Sequence, residues 1–123
     1  MKKQQGQALI TLIFFTVIAV TIITAAVSVL FANNLSTSNA EIGQEAYQAA
    51  ESGVEDGLLK LLRDPAYSGP SYNIGTETTV SITGGVNKTI TSTGTAGGTT
   101  RKIEVQTEYN IGVTQINSWR EIN

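Results

Sequence analysis

Between Ala8 and Ala32 the chain runs for 25 residues without a charge, a glycine or a proline. Twenty of them are hydrophobic, including all three phenylalanines, Phe14, Phe15 and Phe31. The other five are Thr11, Thr16, Thr21, Thr24 and Ser28, whose hydroxyls can bond back to carbonyls of their own helix. At about 1.5 Å per residue such a helix reaches roughly 37 Å, enough to cross a hydrocarbon layer of about 30 Å. A secretory signal peptide is the alternative, but its apolar region is about 7–15 residues and ends in a small-x-small site. Here the run is longer, and Thr24-Ala25-Ala26 matches that site poorly. The expectation is a retained membrane helix. Lys2 and Lys3 precede the run and the next charge is Glu41. The positive-inside rule then places the N-terminus in the cytoplasm and the remainder outside.

Composition excludes several chemistries. The 123 residues include no histidine and no cysteine. Ser-His-Asp and Cys-His nucleophile systems, imidazole or thiolate zinc sites and disulfides are therefore ruled out. A net charge of −2 with eight Lys and Arg gives no broad basic surface, so no nucleic-acid partner is expected. The overall 41% hydrophobic content is an average of the apolar run and a polar remainder too thin in apolar residues for an independent core.

The order of residues before the run is more specific. Lys2-Lys3-Gln4-Gln5-Gly6 is followed by Gln7-Ala8-Leu9-Ile10-Thr11-Leu12-Ile13. This layout resembles the class III leader of type IV pilins and type II secretion pseudopilins. The resemblance implies cleavage between Gly6 and Gln7 by a prepilin peptidase, methylation of the new N-terminus at Gln7, and a mature chain of 117 residues. It also implies lipid contact before assembly, then other pilin subunits as partners through the apolar helix. Two positions depart from the family pattern. The first mature residue is Gln7 where Phe is usual, and the fifth is Thr11 where Glu is usual. The missing carboxylate points toward the minor-pilin branch, the pilin X and pseudopilin K groups.

Beyond the run, Asn33 to Asn39 is polar and lowers helix propensity. Ser38 and Glu41 have capping-box spacing, so the residues fit either a new helix here or one helix running through. The resemblance implies the single helix. From Ala40 to Leu62 the residues Ile42, Ala46, Ala49, Ala50, Gly53, Val54, Gly57, Leu58, Leu61 and Leu62 recur at helical spacing. Ala49, Gly53 and Gly57 form a row of small residues. Glycine costs about 1 kcal/mol against alanine within a helix, so two of them call for a reason, such as close packing. Asp64-Pro65 ends the helix. The segment Ala46–Lys60, with its Ala-Glu-x-Gly-x-Glu-like stretch, extends the resemblance to the X and K groups.

The C-terminal half reads as strands. Residues 76–100 hold ten Thr and two Ser, suited to a wet sheet face. Val80 and Ile82 alternate with Thr79, Ser81 and Thr83, and Gly84-Gly85 is a hairpin-type pair. Val86–Thr95 is a second strand, Ala96-Gly97-Gly98 a turn, and Arg101–Ile111 the clearest strand. In the last, Ile103, Val105, Thr107, Tyr109 and Ile111 share one face. Val113–Ile122 adds a final strand with Trp119 as its apolar anchor. The stretch Gly94–Thr100 is glycine-rich but lacks the Lys before Ser or Thr and the following helix of a phosphate loop. Asn87-Lys88-Thr89 fits a glycosylation sequon, weak evidence by itself. The run Ile90–Val105 resembles the paired strands of X and K heads. Leu62 to Thr76 is too short for the inserted calcium-binding domain of full-length K pseudopilins, so no metal or other cofactor is expected.

The expected architecture is α+β and pilin-like: a long N-terminal helix, membrane-spanning in its first half, packed on a small antiparallel sheet. Its parts are a leader over 1–6, a transmembrane and assembly half over 7–32, an outer half over 33–64 and a head of three to four strands over 65–123. The expected role is structural and non-enzymatic: a subunit held in the cytoplasmic membrane, then assembled into an extracellular filament that it primes, caps or decorates. An uncleaved single-pass protein displaying a small binding head is the alternative.

Overall fold

A computed structural model describes residues 2–123, with side chains from Gly6 onward. Helix α1 spans Lys2–Arg63. Five strands follow: β1 Gly69–Ile74, β2 Thr78–Gly84, β3 Asn87–Ala96, β4 Thr99–Asn110 and β5 Val113–Ile122. The chain forms two compact units, one ending at Ser38 and the other Asn39–Asn123. Helical hydrogen bonding continues through residues 33–39, where Thr37 Oγ1 donates to Asn33 O at 3.0 Å. Ser38 therefore starts no new helix, and the capping-box spacing to Glu41 goes unused. At its other end α1 stops before Pro65. The Asp64 amide donates to Lys60 O, and Lys60 and Arg63 sit in the last turn, where cations suit the carbonyl end of the helix.

The second unit is α+β, with the helix from residue 39 to Arg63 lying on one face of the sheet. The sheet is an antiparallel meander in the order β1-β2-β3-β4-β5. Its period-2 alternation sends Val80 and Ile82, Ile90 and Ser92, and Ile103 and Val105 toward the helix, which answers with Ala46, Ala50, Val54 and Leu61. Backbones approach closely where side chains are smallest. A Cβ at Gly53 would overlap Ser92 Oγ and the methyl of Thr78, and one at Gly94 would overlap the Ala46 carbonyl oxygen and the Ala50 amide nitrogen. Gly57 sits over Ile90, whose Cγ2 would lie 2.9 Å from an added Cβ.

The sheet has five strands rather than three to four. The additional one, β1, contains Gly69 and Pro70 and sits at an edge, where proline is tolerated. It is pinned to α1 by Tyr72, whose hydroxyl donates to Asp56 Oδ2 at 2.8 Å. Lys60 closes this cluster, 3.3 Å from Asp56 Oδ2 and 3.0 Å from the centre of the Tyr72 ring. Partial burial, then the hydrogen bond to Asp56 and its charge, push the Tyr72 hydroxyl well above the usual phenol range.

Three expected inward residues lie elsewhere. Leu62 is exposed. Ile111 is not on the inner face of β4. It stands in the β4–β5 turn with φ +48° and is 95% exposed. Trp119 sits opposite Val105 but is 40% exposed, with Ile116 and Val113 exposed beside it on β5. A helix about 10–12 Å across covers two to three strands spaced about 4.8 Å apart. The outer strand of a five-stranded sheet is left at the margin.

Candidate functional site

The apolar half of α1 is the first place where structure and chemistry converge. It is the one helix among the described residues that is long and apolar enough to cross a membrane. Every described side chain from Gly6 to Ser38 is exposed, so the segment contributes nothing to the core of its own fold. Exposed phenylalanines, leucines and isoleucines over such a length need lipid or other apolar helices around them.

The polar groups of this segment are internally satisfied. Thr11 donates to Gln7 O at 2.9 Å, Thr16 to Leu12 O at 2.8 Å and Thr21 to Val17 O at 2.5 Å. Thr24 donates to Val20 O and Ser28 to Thr24 O, both at 2.8 Å. With backbone and hydroxyls paired inside one helix, the segment can enter hydrocarbon without unmade hydrogen bonds.

The residues singled out for leader chemistry sit at the start of α1. Gly6 is helical and open on all sides, with nothing within 4 Å of where a side chain would begin. The Gln7 carbonyl accepts the Thr11 hydroxyl, so Thr11 is turned back on its own helix. The Lys2 and Lys3 side chains, expected to set orientation, lie outside the described side chains, and Met1 lies outside the described residues.

The row Ala49, Gly53 and Gly57 belongs to the second unit and faces the sheet. The Ala49 carbonyl accepts the Thr78 hydroxyl at 3.0 Å across the helix–sheet interface. Gly53 meets Ser92 and Gly57 meets Ile90. The row is therefore the seat of the helix on the sheet. Gly94, on the strand expected over Val86–Thr95, meets the helix backbone at Ala46 and Ala50, and a glycine within a period-2 strand is the sequence signal for such a close approach. Among the described residues no three carboxylates gather in a metal-binding group.

One further polar feature lies where α1 ends. Lys88 on β3 is 6% exposed and lines a cavity of about 460 Å³ between the helix C-terminus and the β2–β3 turn. Its ammonium donates to Gly84 O at 3.2 Å and Ala66 O at 3.4 Å. Compared with known protein families, with characterised proteins and with solved structures, the chain matches none.

Proposed function

We propose that the chain is a minor type IV pilin-like structural subunit. It is inserted with its N-terminus in the cytoplasm, cut by prepilin peptidase between Gly6 and Gln7, and assembled with other pilin subunits through the apolar half of α1. The observation that carries the reading is one α-helix with two occupations: uncharged, outward-facing and internally hydrogen-bonded from Ala8 to Ala32, and the core element of an α+β head from Ala46 to Leu61. Lipid tails and neighbouring apolar helices are nearly equivalent surroundings for such a segment. A subunit can thus be stored in the membrane and drawn into a filament at little cost. Lys2-Lys3-Gln4-Gln5-Gly6 supports the leader assignment.

Thr11 suits a position at the filament tip or start, because its hydroxyl is bound within its own helix and offers no carboxylate to a subunit stacked above. A Gly6→Ala variant tests the reading. Expressed with a prepilin peptidase, it should accumulate uncut in the membrane while the natural chain is shortened. A natural chain left uncut like the variant would overturn it and favour the uncleaved single-pass protein.

A further inference from the structure

We propose that the cavity beside Lys88 is a binding site for a small carboxylate carried on a ring with an apolar face, the chemistry of a uronic acid unit. The site is built wholly within the head and stands independently of the filament reading.

Lys88 supplies the charge. A buried ammonium requires partners, and a fully hydrogen-bonded one has three. Lys88 has two, both neutral backbone carbonyls, at 3.2 and 3.4 Å. Charge-assisted bonds to carboxylates run about 2.7–2.9 Å, so these two are long. Among the described residues no carboxylate pairs with Lys88. Asp64, which precedes the Pro65 that lines the cavity, turns its Oδ1 to the Ala66 amide at 3.0 Å instead. Lys88 lines the cavity, so an anion seated there could take the ammonium's third hydrogen bond and its charge.

The walls supply the rest. Pro65, Val86 and Tyr109 give apolar and aromatic surface, and Ser68 gives a hydroxyl. A mostly apolar cavity of about 460 Å³ with a few placed polar groups lies within the range for small-molecule sites. The Tyr109 ring offers a platform for the C–H face of a sugar, and the Ser68 hydroxyl can pair with a ring hydroxyl. The lining comes from the turn after α1, the β2–β3 turn, Lys88 of β3 and Tyr109 of β4, and β3 and β4 are interior strands, so it presents no open strand edge along which a peptide could pair. That geometry favours a compact ring over an extended chain.

The test uses the full chain in detergent micelles, followed by amide chemical shifts of Gly85, Val86 and Lys88. Sodium glucuronate should shift these signals saturably, glucose should not, and acetate should bind more weakly than glucuronate. Lys88→Met should weaken glucuronate roughly tenfold or more. Because Lys88→Met removes a buried contact, Tyr109→Ala serves as a second variant. It should weaken glucuronate and leave acetate unchanged. Equal responses to glucuronate and glucose, or retained binding in a folded Lys88→Met protein, would overturn the proposal. So would tighter binding of a short peptide with a free C-terminal carboxylate, or acetate binding as well as glucuronate.

Discussion

Replacing Gly94 by alanine should damage the head more than either helix glycine does. The added Cβ would overlap the Ala46 carbonyl oxygen and the Ala50 amide nitrogen, backbone atoms that no rotamer change can move aside. The helix must lift from β3 by roughly 1 Å to restore ordinary contact, and a gap of that size forfeits about a quarter to a half of each dispersion contact beneath it. Overpacking typically costs about 1–3 kcal/mol, and a backbone overlap belongs at the upper end. Removing a glycine from a strand returns about 0.5–1 kcal/mol. The net is a loss of about 2 kcal/mol.

Gly53→Ala meets side chains, Ser92, Thr78 and Val80, and gains about 1 kcal/mol of helix propensity, leaving a loss of about 1 kcal/mol. Gly57→Ala meets only the movable Ile90 and Ile82 side chains and should stay within about 0.5 kcal/mol. Urea unfolding in micelles, followed by the fluorescence of the single tryptophan Trp119, measures the series. With a slope of about 1–3 kcal/mol/M, Gly94→Ala should lower the midpoint by about 1 M. A Gly94→Ala midpoint unchanged within error, or a loss at Gly53 exceeding that at Gly94, would refute the close-packing account of the helix seat.

Three other outcomes follow from the same structure. Ile111→Gly should stabilise the head by about 1 kcal/mol in urea unfolding, since a β-branched residue at φ +48° is strained and its side chain is almost wholly exposed. Tyr72→Phe should cost about 1 kcal/mol at neutral pH by leaving Asp56 without its hydroxyl donor. The folded-state pKa of Tyr72 lies above its unfolded value of about 10, so its contribution is complete below that pH and is lost as the unfolded chain ionises above it. Unfolding titrations from pH 9 upward should therefore fall more steeply for the natural chain than for Tyr72→Phe. Thr21→Asp places a charge mid-way along the apolar run at a cost of about 2.5–3.5 kcal/mol and should release the chain from membranes on alkaline extraction.

The legible parts of the fold were those set by local periodicity. β2 to β5 follow from alternation and from the turns around Gly84-Gly85 and Ala96-Gly97-Gly98, and their bounds lie within a few residues of those read from the chain. The back-bonded hydroxyls of Thr11 to Ser28 also follow from residue type in an apolar helix. What sequence could not reach depends on partners far along the chain. β1 carries Gly69 and Pro70, which argue against a strand, and it is held by a bond from Tyr72 to Asp56 sixteen residues away. Ile111 and Trp119 look like core residues by type. Their exposure comes from the position of the turn and from the width of one helix against five strands. The glycines at 53 and 57 announced a close approach, but the surface they approach, Ser92 and Ile90, is visible only once β3 lies beneath them. Lys88 likewise gains meaning only when β3 brings it under the end of α1.

The central claim is that a leader precedes Gln7 and that the apolar helix survives its removal. N-terminal sequencing and intact mass of the membrane-bound protein, from cells with and without a prepilin peptidase, test it most directly. The account predicts a chain beginning at methylated Gln7 only when the peptidase is present, still in the membrane fraction. Met1 retained with active peptidase, or a new N-terminus beyond Ala25, would contradict it.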